Sequence, residues 1–352
     1  MVQLKDKPEY VDVDADFKPL PKYGHLSEKT PEFLAAEPAI KAAYDQLWAL
    51  PDFPAFRQAA GDADAVMPPA GPDRYREVTT ELLHFPTRDG QLLELKVYKS
   101  PNAAPDATLV YRMHGGGHVV GRHETDGAEN VYAATNPNIV VVSVDYRLAP
   151  EFRFPIPIYD CYDGLLWCKE NAKVLGINPE KIIVAGSSAG ANCAAVLAIM
   201  ARDDGITGIV GQVLHFPALC HPKFFPRDRY EYGSFVQNAE NCVLSAVRLE
   251  AFFDAYNPNP EPDHGHSPLL AASHANLPPA LIQCAGVDIF RDEAFAYAEL
   301  LKAAGVEVEI YGYQGVPHCF PAILLAHPST PVFYKRFNDS LKRLATSSSQ
   351  GQ

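Results

Sequence analysis

The sequence predicts an α/β fold: a mainly parallel central sheet flanked by helices, with a helical cap. Three observations predict it. From residue 107 onward, short apolar, β-branched runs alternate with helix-compatible stretches, and strands that alternate with helices need crossover connections and therefore pair in parallel. A hairpin signal precedes them and would supply an antiparallel edge. A long aromatic-rich excursion at 221–264 breaks the rhythm, and the N-terminal seventy-five residues, rich in Pro, Ala and Asp, carry a helical patch of their own.

Each element has its own signal. In "PEFLAAEPAIKAAYDQLWAL", Phe33, Ile40, Tyr44 and Leu47 recur near helical spacing. "REVTTELLHFP" and "QLLELKVYKS" flank "TRDG", an Asp-Gly turn between two strand-like runs. The later strand runs are "ATLVYRM", "NIVVVSVDYR", "KIIVAGSS", "GIVGQVLHFPAL", "PALIQCAGVD" and "VEVEIYGY". Between them, "DGLLWCKENAKVLG", "AAVLAIMARDD" and "EAFAYAELLKAAG" read as helices. Residues 221–264 hold Phe224, Phe225, Tyr230, Tyr232, Phe252 and Phe253 but no strand run. An excursion of that length between two strands is a lid or an insertion. The expected division is therefore an N-terminal cap region at 1–75, a first part of the core at 76–220, a cap insertion at 221–264, a second part of the core at 265–346 and a disordered tail at 347–352.

Composition narrows the function. A hydrophobic fraction of 47% and a charged fraction of 21% over 352 residues are those of a globular chain with a sizeable core. Acidic residues outnumber basic ones 43 to 30, a net charge of −13, and the basic residues are scattered. This argues against nucleic acid as a partner and for a small-molecule substrate. The N-terminus lacks an apolar signal segment and no run reaches the length of a membrane span, which predicts a cytoplasmic protein. Seven cysteines without a C-x-x-C pair suggest buried thiols rather than disulfides or zinc, with Cys161 and Cys168 on one helix face. His264 and His266 in "PDHGHSP" read as loop residues, so neither a metal nor a cofactor is expected. Monomer and homodimer both stay open.

The chemistry gathers at strand ends. In "IIVAGSSAG" a strand run meets a helix, and only Ser188 has glycine at both flanking positions of a G-x-S-x-G register, Gly186 and Gly190. The pentapeptide alone leaves a helix N-cap serine equally open. After "TLVYRM" come His114, Gly115, Gly116 and Gly117, whose bare amides suit a developing oxyanion; a phosphate cradle would want G-x-G-x-x-G into a helix or a Gly-Lys-Ser/Thr ending, which this loop lacks. Asp288 and His318 follow the last two strand runs. A serine hydroxyl needs an imidazole to take its proton and a carboxylate to fix the imidazole tautomer. Alone, Asp288 reads as a strand-end cap and His318 as a loop histidine; jointly, in the order Ser188, Asp288, His318, they read as one site. Asp292 and Glu293 open the next helix, where they are expected to cap its free amides.

Together "HGGG", "DYRLAPE", "GSSAG", "SPL", "DIFRDEAFAYAELLKAAG" and "PHCF" make residues 80–345 resemble the hormone-sensitive lipase family of α/β-hydrolases. The resemblance implies a carboxylic ester hydrolase with a cap over its pocket and a Ser188, Asp288, His318 triad. It implies oxyanion amides from Gly116, Gly117 and Ala189, with Gly115 as a substitute, and it gives His114 and Glu151 a supporting role at the glycine loop. Lactone opening, acyl transfer and a non-catalytic receptor like the plant gibberellin receptor are the competing readings; such receptors typically lack the histidine that this chain has at 318. Two departures stand out: Ser187 where the elbow usually carries Asp or Thr, and Ile289 and Phe290 where Pro-Leu usually follows the acid.

Overall fold

Gly90, at φ 83°, donates its amide to the Thr87 carbonyl at 2.8 Å, closing the Asp-Gly turn between Thr79–Pro86 (β1) and Leu92–Lys99 (β2). These two strands pair antiparallel, and β2 then pairs antiparallel with Ile139–Val144 (β4). The remaining strands are Ala107–Met113 (β3), Ile177–Ser187 (β5), Ile209–His215 (β6), Ala280–Val287 (β7) and Val308–Pro317 (β8). The sheet runs β1-β2-β4-β3-β5-β6-β7-β8, parallel from β4 to β8. The structure, a computed structural model, describes residues 2, 4–18, 22–61 and 64–346; the expected tail at 347–352 lies outside them.

Parallel strands covered on both faces need apolar side chains in both directions. Every residue of β3, β4 and β7 is buried. Along β5, Ile182 and Val184 pack with the helices Ile156–Glu170 and Ala189–Asp203, while Ile183 and Ala185 face the helices Gly127–Ala134 and Ser329–Thr346. Cys161 and Cys168 are buried on the first of these helices. Alternation along one strand thus builds two cores, and the sheet between them is rigid enough to hold groups at its carboxyl edge.

The N-terminal helix Pro31–Trp48 starts with Thr30 accepting from the Phe33 amide and proline at its first position. Phe33 and Trp48 are its buried residues; Ile40, Tyr44 and Leu47 are only half-buried. Among the described residues, 221–264 hold no strand but two α-helices, Gly233–Gln237 and Ala246–Tyr256. Both regions meet at one aromatic cluster, with Phe252 tilted against Trp48 at 5.0 Å and stacked on Phe53 at 5.8 Å. Arg248 Nη2 adds an ion pair to Asp45 at 2.5 Å. No helix of the described residues is long and apolar enough to cross a membrane.

Candidate active site

The turn from β5 into the helix Ala189–Asp203 is sterically specified. A Cβ on Gly186 would stand 2.2 Å from the Gly190 carbonyl, and one on Gly190 would stand 2.0 Å from Met113 O. Only glycine fits either place, and the chain between them turns tightly enough to hold Ser188 at φ 55°, ψ −119°. That is a strained conformation for a residue with a side chain. The Ser188 amide donates to His215 O at 2.8 Å. The two serines then part: Ser187 Oγ donates to Glu129 Oε1 at 3.1 Å behind the turn, while Ser188 Oγ lies 2.9 Å from His318 Nε2.

His318, one residue beyond β8, presents its Nδ1 2.6 Å from Asp288 Oδ2, one residue beyond β7. Asp288 Oδ1 also accepts from the Phe290 amide at 3.1 Å. Asn238 Nδ2 donates to the Asp288 carbonyl at 3.0 Å, and Asn241 to that of Val287. Burial disfavours a charged imidazole, but the Asp288 carboxylate, with the neighbouring Cys319 thiol, more than offsets it and holds the His318 pKa well above its ordinary value.

The glycine loop is less uniform than its sequence. Gly115 donates its amide to Asp126 Oδ2 at 3.1 Å, so it has no free donor for a ligand and drops out of the expected set. Gly116 and Gly117 have φ of 120° and 64°, and among the described residues nothing accepts from their amides or from that of Ala189. His114 stacks on Tyr146 at 4.2 Å with its Nδ1 2.8 Å from Gly115 O, and burial lowers its pKa to about 4. It braces the loop as a neutral ring. Glu151 reaches the loop through Arg57, which it pairs at 2.7 Å and which donates to Val119 O and Ala149 O.

Ser188, His318, Gly116 and Gly117 open onto a cavity of about 470 Å³ whose apolar wall includes Trp48, Phe56, Phe252 and Phe253. A pattern of the family described as the alpha/beta hydrolase fold matches residues 109–322. The chain belongs to the α/β-hydrolases. It is 37% identical over 256 residues to the carboxylesterase NlhH of Mycobacterium tuberculosis, covering 71% of this chain and 78% of that one. It is 34% identical over 317 residues to the esterase LipI of the same organism, covering 88% and 90%. Among solved structures, vibralactone cyclase superposes with a TM-score of 0.79 at 29% identity, covering 93% of this chain and 97% of that one. The hyperthermophilic esterase of Pyrobaculum calidifontis superposes with a TM-score of 0.76 at 31% identity, covering 91% and 100%.

In this α/β-hydrolase Asp292 and Glu293 do not cap their own helix, Arg291–Ala303, contrary to expectation; its N-cap residue, Phe290, makes no side-chain cap, and the Asp292 amide donates to Ser234 Oγ at 3.1 Å. Both side chains instead turn to distant backbone. Asp292 Oδ2 accepts from the Ser234 amide at 2.7 Å. Glu293 Oε2 accepts from Leu219 and Cys220 amides at 2.7 and 3.0 Å, and its Oε1 from Tyr232 Oη at 3.2 Å. Of the histidines at 264 and 266, the first is exposed and the second is a buried wall of the cavity, its Nδ1 2.8 Å from Ser267 Oγ and its Nε2 2.9 Å from Glu261 O. Among the described residues no three His, Cys, Asp or Glu side chains are grouped to hold a metal ion.

Sequence reasoning missed a buried set beside the site: Arg112 and His215, with Asp126 and Glu129, which also line the cavity. One signal pointed to it, an arginine in the middle of the apolar run "TLVYRM".

Proposed function

We propose that this α/β-hydrolase cleaves carboxylic esters through an acyl-enzyme on Ser188. The observation that carries the reading is the continuous line Ser188 Oγ, His318 Nε2, His318 Nδ1, Asp288 Oδ2, with steps of 2.9 and 2.6 Å across the ring. In the first half-reaction Ser188 Oγ bonds to the ester carbonyl carbon as its proton passes to His318 Nε2. Asp288 accepts the Nδ1 proton's hydrogen bond and steadies the imidazolium. The negative carbonyl oxygen takes the amides of Gly116, Gly117 and Ala189. The C–O bond breaks, His318 returns its proton to the leaving alcohol, and water repeats the sequence to free the acid and Ser188.

Residues 1–75 and 221–264 act as the cap over a core of 76–220 and 265–346. Their shared aromatic wall and the cavity of about 470 Å³ suit short to medium acyl groups or a compact polycyclic ester. The names carboxylesterase and esterase borne by NlhH and LipI support the reaction class, as does an ethyl acetate hydrolase of Pseudomonas putida, 35% identical over 247 residues. The test is hydrolysis of p-nitrophenyl esters of rising acyl length by the full chain. Turnover should peak at short to medium acyl groups and vanish in Ser188→Ala; turnover that survives this substitution removes the proposal.

The likeness to vibralactone cyclase favours one second reading, in which the acyl group passes to a hydroxyl, within the substrate or on another molecule, instead of to water. Product analysis with and without added alcohol separates the two.

A further inference from the structure

Behind the elbow, one carboxylate gathers three elements. Glu129, on the helix Gly127–Ala134, is buried, and its Oε2 lies 2.7 Å from Arg112 Nη2 on β3 and 2.7 Å from His215 Nδ1 at the end of β6. Its Oε1 takes the Ser187 hydroxyl at 3.1 Å. The tautomer of His215 follows from its neighbours: Nδ1 carries the proton and donates to Glu129, leaving Nε2 to accept from Gln283 Nε2 at 3.2 Å. Gln283 Oε1 in turn accepts from Tyr313 Oη.

Each end of this network reaches the reacting atoms by one further step. His215 O is the acceptor of the Ser188 amide, and Ser187 is its chain neighbour. On the other side, Arg112 Nη2 also lies 3.4 Å from Asp126 Oδ2, the oxygen that accepts the Gly115 amide. The elbow and the glycine loop are themselves in contact, since a Cβ on Gly115 would stand 3.0 Å from Ser187 O and 3.5 Å from Ser188 Cβ. Arg112 Nε and Nη1 have no hydrogen-bond partner among the described residues, so its polar anchoring rests on Nη2, held by the two carboxylates and the Ser187 hydroxyl, with the guanidinium over the Phe337 ring.

We infer that Glu129 is a positioning residue for the Ser188 reaction: its carboxylate sets the elbow through Ser187 and His215, and the glycine loop through Arg112 and Asp126, relative to each other. The inference rests on the reading of Ser188 as nucleophile. Reaction needs the attacking oxygen and the oxyanion amides in register, and a displacement of about 1 Å costs up to about 100-fold in rate. Asp126 and Glu129 line the same cavity, but its apolar wall is made by Trp48, Phe56 and Phe253, and binding of the ester's apolar parts depends on that wall.

The test is Glu129→Gln in the full chain, with kcat expressed per active site titrated by a fluorophosphonate. We expect kcat to fall about 10- to 100-fold with KM within about twofold of the parent. A merely structural role would lower the melting temperature and the number of titratable sites but leave kcat per site unchanged, and that result overturns the inference. Should Glu129→Gln not fold, Asp126→Asn, which removes only the charge facing the Gly115 amide and Arg112, is read by the same criterion. A parent protein that takes up no label on Ser188 sinks the nucleophile reading instead, so the two failures are distinct.

Discussion

Asp288 Oδ2 lies 2.6 Å from His318 Nδ1, and this contact sets the protonation of the whole site. Burial alone would lower the histidine pKa; the carboxylate raises it well above the usual value of about 6.5. A general base must be neutral to accept the serine proton. The acid limb of kcat/KM should therefore lie above pH ~6.5 in the free enzyme, activity rising with pH through it. The sign for stability is opposite: a raised histidine pKa adds stability that is full below the unfolded value and lost as pH rises through the folded one. A kcat/KM profile with its acid limb below pH ~6 would contradict the assignment of the base.

A fluorophosphonate should label the protein once, on Ser188. Ser187, the preceding residue, points to Glu129 instead of His318, so the imidazole that takes the Ser188 proton is out of its reach. Ser188→Ala should abolish labelling and Ser187→Ala should retain it. Peptide mapping that finds the adduct on Ser187 would reverse the roles.

Phe252 joins the cap to the glycine loop, for a Cβ on Gly117 would stand 2.6 Å from its ring. It also forms part of the cavity wall with Trp48 and Phe253. Phe252→Ala should widen the site and shift preference toward longer acyl chains, through KM, while the rate of labelling at Ser188 changes little. An unchanged chain-length profile would mean that the substrate does not reach this wall.

Glu293 gives a second pH signature. Burial raises its pKa to about 8 despite two donated amides and the Tyr232 hydroxyl. A carboxyl group that is harder to ionise folded than unfolded binds its proton more tightly in the native state, so stability falls as pH rises from about 4.5 toward 8. Thermal denaturation from pH 5 to 8.5 should show that fall, and Glu293→Gln, which cannot ionise, should flatten it. Equal slopes in both proteins would assign the loss to other groups.

The sheet was legible because each buried strand is a short β-branched run closed by Gly, Asp or His, and because "TRDG" between two such runs admits little but a hairpin. The line from Ser188 to Asp288 was legible for the same reason: all three residues stand just past strand runs, which a parallel sheet brings to one edge. The network behind it was not. Glu129 sits in "TDGAENVYAATN", where an acidic residue near a helix start has an ordinary surface reading, and its partners come from β3, β5 and β6. Asp292 and Glu293 likewise looked like caps because their true acceptor roles lie 58 and 74 residues away in the chain. Local pattern reports what a residue does to its own element, and these three carboxylates serve other elements.

That distinction decides the last prediction. "DIFRDE" offers three acids near His318, and the structure gives them different work. Asp288 alone meets the imidazole; Asp292 and Glu293 hold the amides of Ser234, Leu219 and Cys220. Asp288→Asn keeps the shape but leaves the amide no charge to hold the Nδ1 proton, so the ring favours the wrong tautomer, and kcat should fall on the order of 10⁴-fold in a folded protein. Glu293→Ala orphans two buried amides at about 1–3 kcal/mol each. Asp292→Ala orphans one and also frees Arg291 Nε, which it holds at 2.8 Å. Both should lower the melting temperature by several degrees, more than loss of a helix cap would, yet leave the folded fraction able to turn over. Circular dichroism melts paired with kcat per titrated site separate the outcomes. An inactive, fully stable Asp292→Ala beside an active Asp288→Asn would move the orienting acid to Asp292.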